Sequence, residues 1–349
     1  MTETTATIAG AATGEVPATP PAPFIVAVGG RESDGVLRAA RILEQRTRGG
    51  VVAVGVLELP SATVTGAEPA LMVPSYLDEQ REEYRMSLRE HLLNFGGAAA
   101  LWPATVIDGE PAFALTDYAR TIEAPLIVMG LGRHRAIDRV LGREITLRTI
   151  RLAPCPVLAV RPDLDVPFQD VVVATDFSAA SAYAAQVAIR LIDPQATLHL
   201  VHVWEPTSTD DAHVLAMDDS YRASLPEHFR RFTEILAPPA GIEVKTIVRE
   251  GKPAERVLDY AAAHHADLLV AGRHGLNMFE RFLAGSQTTS MLRGAECSIL
   301  VAPEPPLPVR DRLRLLLGGA TRSTKPRSPW RTAECGRRRT LLTPGIRWW

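Results

Sequence analysis

An internal repeat constrains the fold of this chain more than any other feature of its sequence. Residues 105–130 (TVIDGEPAFALTDYARTIEAPLIVMG) align without a gap with residues 247–272 (IVREGKPAERVLDYAAAHHADLLVAG), 142 positions later. The alignment continues into CPVLAV at Cys155, which matches CSILVA at Cys297. A repeat of this length predicts two copies of one domain, and 349 residues suffice for two hydrophobic cores.

The repeat and the composition divide the chain into four parts. We expect a flexible tail over 1–22, a first domain over 23–162, a second domain over 168–304, and a basic, disordered tail over 305–349. From 307 to 349, eleven Lys or Arg residues face two acidic ones, so the rest of the chain carries a net charge of −11. An acidic body argues against nucleic acid as the main partner. The basic tail is expected to dock on that body, with an anionic lipid or nucleic-acid contact as the alternative.

Both copies alternate short apolar runs with helical patterns. The runs FIVAV (24–28) and VVVAT (171–175) are equivalent first strands, 147 residues apart. Continuous apolar runs are typical of parallel strands buried on both faces. The sequence therefore predicts an α/β fold with two tandem doubly wound domains and helices on both faces of the sheets.

A glycine-bearing loop follows an apolar run in the second copy. The run 268–271 ends at Gly272; Gly275 follows, and nine residues later come Gly285 and Ser286. Glycines let backbone N–H groups approach an anion closely, and a helix beginning near Ser286 adds donors and the positive end of its dipole. This spacing indicates a phosphate site. The alternative is that the glycines only shape a turn and a helix cap.

In this loop two residues separate the first two glycines, and nine residues separate the second glycine from the Gly-Ser pair. This spacing resembles the ATP-binding loop of the universal stress protein family. It is neither a Walker loop nor a dinucleotide fingerprint. The resemblance covers residues 24–303 and implies five parallel strands in the order 3-2-1-4-5 in each domain. That order places the ligand crevice between strands 1 and 4, at their carboxyl ends.

The resemblance implies a nucleotide site in the second domain. From the residues themselves we expect no catalytic or metal-binding residue. The expected ligand is ATP, with or without Mg²⁺. The residues expected to bind it are Ala174, Thr175, Asp176, Val203, Gly251, Gly272, Arg273, His274, Gly275, Gly285, Ser286, Gln287 and Thr288.

Several of these residues have a second interpretation. Asp176 is predicted to accept hydrogen bonds from ribose hydroxyls, but it can also cap the next helix, a role open to Ser178 as well. Val203 is a candidate for adenine contact or for the core. Arg273 suits phosphate oxygens or a solvated loop, whereas His274 is expected to be a loop residue.

The first copy departs from this pattern. Gly29 stands in place of Asp176, Arg133 in place of Gly275, and Arg143 and Glu144 in place of the Gly-Ser pair. A glutamate near phosphates would repel them. We expect the first domain not to bind ATP; the alternative is an anion held by its arginines.

The expected function is nucleotide-dependent regulation in the stress response, read by a protein partner that the sequence does not name. The fifth strands, PVLAV and SILVA, are expected to pair antiparallel within the chain, and a homodimer is also open. Two other classes are a slow ATPase or phosphoryl or nucleotidyl transferase, and a scaffold that binds no nucleotide. We regard an enzyme as the less favoured class, because no Walker lysine or base for the γ-phosphate is evident.

Three cysteines and the absence of a recognisable signal peptide or a membrane-length apolar run indicate a cytoplasmic protein. The acidic and histidine-containing segment 205–225 is expected to be a solvated connection, since its spacing fits no metal-ligand pattern.

Overall fold

The structure is a computed structural model of the full chain, and it describes residues 22–29, 34–58, 74–131, 138–164, 167–205, 212–273 and 297–306. In the first half the elements are β1 Phe24–Ala27, α1 Asp34–Thr47, β2 Val51–Leu57, α2 Pro74–Phe95, a 3₁₀ helix Gly97–Leu101, β3 Ala104–Asp108, α3 Pro111–Thr121, β4 Ile127–Gly130, α4 Asp138–Leu152 and β5 Val157–Val160. In the second half they are β6 Asp170–Ala174, α5 Ala179–Leu191, β7 Thr197–Trp204, α6 Ala212–Leu236, β8 Glu243–Glu250, α7 Pro253–Ala263, β9 Leu268–Gly272 and β10 Ser298–Ala302.

The ten strands form one continuous sheet in the order β3-β2-β1-β4-β5-β10-β9-β6-β7-β8. All neighbours are parallel except β5 and β10, which pair antiparallel with Leu300 opposite Leu158. The antiparallel pairing of the fifth strands, expected from the sequence, joins the two halves, so the strands form one sheet and not a separate five-stranded sheet in each domain. The pairing also removes two sheet edges that would otherwise expose unpaired backbone groups.

Helices cover both faces of this sheet, as the alternating pattern predicts. On one face a single core runs through both halves, with Leu92 of α2 and Phe232 of α6 fully buried in it. On the other face each half has its own core, packed beneath α3 and α4 in the first and beneath α7 in the second. Ile299 and Val301 of β10 belong to the first-half core. The seam between the domains, formed by β5 and β10, is therefore packed as well as hydrogen-bonded.

The local sequence explains where the equivalent helices α3 and α7 begin. Pro111 and Pro253 occupy their first positions, where a missing N–H costs nothing. The Glu110 carboxylate accepts a 3.1 Å hydrogen bond from Phe113 N and so caps α3. Lys252, the equivalent residue before α7, makes no side-chain cap.

Candidate functional site

The candidate site lies where β6 and β9 end side by side. These strands are parallel neighbours, with Ala174 opposite Ala271. The chain leaves β6 towards β7 on one side and leaves β9 towards β10 on the other. The order of the strands therefore reverses between β6 and β9, and in open α/β sheets a ligand crevice forms at the carboxyl ends of strands at such a point.

A tight turn of four residues, Thr175 to Ser178, connects β6 to α5. The buried Thr175 hydroxyl accepts a 3.0 Å hydrogen bond from Phe177 N. Ser178 is the N-cap of α5, and its hydroxyl accepts from Ser181 N over 3.2 Å. Because Ser178 caps the helix, the alternative role of Asp176 as the cap is not needed. The exposed Asp176 carboxylate instead accepts from Ser178 N over 3.1 Å, which holds it at the mouth of the crevice.

Phe177 adopts a backbone conformation that aromatic residues rarely take. Its φ angle is +58°, in the left-handed region, although its ring is buried. The ring packs against those of His202, His228, Phe229 and Phe232, with centroid distances between 4.7 and 5.8 Å. Such a conformation persists only where its surroundings determine it. The packing of the Phe177 ring therefore determines the conformation of the turn that carries Asp176.

His202 on β7 contacts this turn from within the core. The sequence predictions did not include His202. Its Nδ1 lies 2.8 Å from the Thr175 carbonyl oxygen, and its Nε2 lies 2.9 Å from the Tyr221 hydroxyl of α6. A carbonyl only accepts, so Nδ1 carries the proton and Nε2 of the neutral ring accepts from the Tyr221 O–H. Burial lowers the pKa of His202 and favours this neutral form. A signal was present in the sequence, since a histidine interrupts the apolar run of LHLVHV.

Gly272 ends β9 against the beginning of α5. A Cβ at this position would lie 2.8 Å from the carbonyl carbon of Ala180, closer than any side chain tolerates. Glycine therefore allows the strand end and the first turn of α5 to approach each other. This brings the N-terminus of α5, with its backbone N–H donors, beside the point where the glycine loop leaves the sheet.

Val203 and Gly251 lie at the carboxyl ends of the next two strands. Val203 is half-buried and packs on the core beneath α7. Gly251 has a φ of +119°, which L side chains rarely adopt, and its N–H donates to Trp204 O over 3.0 Å. Both residues follow the same edge of the sheet as Asp176.

Arg273, the first residue of the loop after β9, contacts the first domain. Its Nη1 donates to the carbonyl oxygens of Ala153 and Arg151, at 2.7 and 3.2 Å, at the C-terminal end of α4. Burial lowers its pKa, with an opposing effect of Glu304. The described contact is therefore neither of the two alternatives expected from the sequence, phosphate or solvent, but a helix terminus of the other half. The remaining loop residues predicted to bind nucleotide lie outside the described part of the chain: His274, Gly275, Gly285, Ser286, Gln287 and Thr288.

A family comparison agrees with this geometry. The model of the universal stress protein family matches the chain twice, over residues 23–161 and 167–303. The chain belongs to the universal stress protein family.

Curated relatives of this universal stress protein are similar to it in sequence, and a solved structure shares its fold. A universal stress protein of Methanocaldococcus jannaschii is 34% identical over 70 residues, which cover 20% of this chain and 41% of that protein. A relative from Staphylococcus aureus strain USA300 is 29% identical over 154 residues, covering 41% of this chain and 89% of its own length. The crystal structure of a universal stress protein from Archaeoglobus fulgidus covers 80% of this chain and 96% of its own, with a TM-score of 0.55 and 20% identity. At that identity the structural match shows the fold alone.

The first universal stress protein domain lacks the features of the turn in the second. Gly29 occupies the position of Asp176, so no carboxylate is present there. Gly55 occupies the position of His202, and a Cβ on it would lie 2.2 Å from Cε1 of Tyr84. The ring of Tyr84 thus fills the space that the His202–Tyr221 pair occupies in the second domain. Arg133 and the side chains of Arg143 and Glu144 fall outside the described residues.

The described ranges hold neither a metal cluster nor a membrane-spanning helix. No group of three or more His, Cys, Asp or Glu residues there is placed to hold a metal ion. None of the helices described has the length and apolar character needed to cross a membrane.

Proposed function

We propose that the second domain of this universal stress protein binds ATP, with or without Mg²⁺, and that nucleotide occupancy regulates its contacts with a protein partner. The observation that carries the proposal is the meeting of two segments at one point of the sheet. The turn bearing the exposed Asp176 follows β6, and the glycine loop starts at Gly272 on the adjacent β9. One segment supplies a carboxylate and the other a loop suited to phosphates.

Each part of a nucleotide has a candidate contact along this edge. The Asp176 carboxylate accepts hydrogen bonds from the ribose hydroxyls, flanked by Ala174 and Thr175. Val203 contacts the adenine, and Gly251 borders the pocket beside it. The phosphates bind the loop from Gly272 to Thr288, where backbone N–H groups and the Ser286 hydroxyl donate. We assign Arg273 to the contact with α4 instead of to phosphate, because its Nη1 is engaged there.

The first domain is proposed to be a scaffold. A glycine at position 29 offers no acceptor for ribose, and Tyr84 packs over Gly55 behind the equivalent turn. The scaffold pairs β5 with β10 and receives Arg273, so it holds the nucleotide domain through a strand pairing and a side-chain contact.

Isothermal titration of Mg-ATP into the full chain tests this proposal. The matched variant is Gly275→Arg, Gly285→Arg, Ser286→Glu, which gives the second domain the residues of the first. One site per chain that disappears in the variant supports the proposal. Two sites would contradict the assignment of the first domain, and no binding by the parent chain would reject ATP as the ligand.

ATP turnover measured in the same samples distinguishes a binding protein from an enzyme. We expect no hydrolysis above the level of the triple variant. Turnover that depends on Ser286 or Gly285 would favour the slow ATPase instead.

A further inference from the structure

The turn that carries Asp176 is held from one side by a single buried side chain. His202 donates from Nδ1 to the carbonyl of Thr175, just before Asp176, over 2.8 Å. The His202 ring also packs against the ring of Phe177, just after Asp176, with centroids 4.7 Å apart. One imidazole therefore contacts both chain neighbours of Asp176.

This support is itself oriented from α6. The hydroxyl of Tyr221 lies 2.9 Å from Nε2 of His202, and the two rings are 6.0 Å apart. Because Tyr221 donates to Nε2, it selects the tautomer with the proton on Nδ1, the only neutral form that bonds to the Thr175 carbonyl. The aromatic stack behind the turn continues to His228, whose ring lies 5.4 Å from that of Phe177.

The left-handed conformation of Phe177 makes such support necessary. With a φ of +58° an aromatic residue is in a sparsely populated region, and an unsupported turn relaxes to a commoner conformation. Relaxation at Phe177 changes the direction in which the preceding residue points.

We propose that His202, oriented by Tyr221, is a positioning residue that aims the Asp176 carboxylate at the ribose hydroxyls of the bound nucleotide. The proposal rests on the proposed nucleotide site. It predicts that His202 affects the part of the affinity that depends on the ribose hydroxyls, and no other part.

A comparison of ATP with 2′,3′-dideoxy-ATP isolates that part. In the parent chain we expect dideoxy-ATP to bind about tenfold or more weakly, since hydrogen bonds to a carboxylate are lost. In His202→Leu the ratio of the two dissociation constants falls to about two- to threefold, the value also expected for Asp176→Ala. Adding His202→Leu to Asp176→Ala changes the ratio no further, because both remove the same interaction.

Two conservative variants separate positioning from packing. His202→Asn places an amide donor near the position of Nδ1, and we expect it to restore most of the ratio. Tyr221→Phe removes only the donor to Nε2 and gives an intermediate ratio. These two variants also decide the matter if His202→Leu does not fold. The proposal is overturned if the ratio of dissociation constants stays at the parent value in Tyr221→Phe but falls to the Asp176→Ala value in His202→Asn.

His199→Leu is the matched control. His199 is also a buried histidine of β7 bonded to a tyrosine, with Nδ1 2.9 Å from the hydroxyl of Tyr260. It belongs to the opposite face of the sheet, beneath α7, and does not contact the turn. We expect it to lower stability and leave the ratio at the parent value. Equal ratios in the parent and His202→Leu, with ATP still bound, overturn this proposal alone, whereas a parent chain that binds no ATP overturns the proposed function and this inference together.

Discussion

Arg273 of the second domain donates from Nη1 to the backbone carbonyl of Ala153 in the first domain over 2.7 Å. The carbonyl is one of the last acceptors of α4, where a cation also meets the negative end of the helix dipole. Arg273 directly follows Gly272, so the start of the glycine loop is fastened to the other half of the molecule. This contact links the candidate site to the first domain.

Replacing Arg273 is expected to affect stability and not nucleotide affinity. Arg273→Gln removes charge-assisted hydrogen bonds to two carbonyls and lowers the free energy of unfolding by about 1–2 kcal/mol. Arg273→Lys keeps the charge but not the planar guanidinium, and it should have an intermediate effect. Urea unfolding measures the first quantity and ATP titration the second. A tenfold loss of ATP affinity with unchanged stability would instead show that Arg273 binds the phosphates.

Gly272→Ala is expected to disturb the junction of β9 and α5. The added Cβ meets the Ala180 backbone at 2.8 Å, and overpacking of this kind costs about 1–3 kcal/mol. The matched control is Gly29→Ala, because an added Cβ there has no atom of the described residues within 4 Å. Thermal unfolding of both variants compares them directly. Equal melting temperatures would show that the close approach at Gly272 is not required.

The stability of the protein should fall as the pH drops below 6.5. Burial is the largest cause that lowers the pKa of both His199 and His202 from the ordinary value of 6.5. Below 6.5 the unfolded chain binds protons that the folded chain does not, so these residues stabilise the fold above that pH and the contribution is lost on acidification. The hydrogen bonds with Arg230 and Arg231 lower the pKa of Glu227 to about 2, so that carboxylate titrates well below this window.

Urea unfolding at pH 7.5, 6.5 and 5.5 measures this dependence. We expect a slope approaching about 1.4 kcal/mol per pH unit for each histidine that stays neutral in the folded state. His199→Leu and His202→Asn should each reduce the slope. A slope that is the same in both variants as in the parent would show that neither histidine is responsible.

The seam between the domains should make the chain unfold as one unit. Leu158 and Leu300 are fully buried and lie opposite each other on β5 and β10. Each Leu→Ala change should cost about 2–5 kcal/mol, and the double variant should lose less than the sum because the two side chains share one packing site. Calorimetry of the parent is expected to show one main transition. Two well-separated transitions, with purely additive substitutions, would contradict a shared seam.

Much of the fold follows from local patterns in the sequence. The apolar runs 24–28 and 268–271 predicted strands that the structure places at Phe24–Ala27 and Leu268–Gly272. Pro111 and Pro253 likewise mark the starts of α3 and α7 in the local sequence. These features depend on residues close together in the chain, and for that reason a pattern reveals them.

The candidate site was predicted less completely. The exposed carboxylate of Asp176 and the glycine at the end of β9 were named from the sequence, and the structure brings them to adjacent strand ends. His202 was missed because its partners, Thr175 and Tyr221, lie 27 and 19 residues away in the chain. The partner of Arg273 is 120 residues away, and no local spacing records such a contact.

The sequence by itself determined the duplication, the alternating strands and helices, and membership of the universal stress protein family. These features depend on residue types that lie close together along the chain, such as spaced glycines and short apolar runs. Only the tertiary structure decided that Leu158 lies opposite Leu300 in the joined sheet, that Arg273 caps α4, and that His202 contacts the Asp176 turn. Such pairings depend on how packed helices and strands bring distant side chains within hydrogen-bonding distance, which is a property of the folded core and not of any one segment.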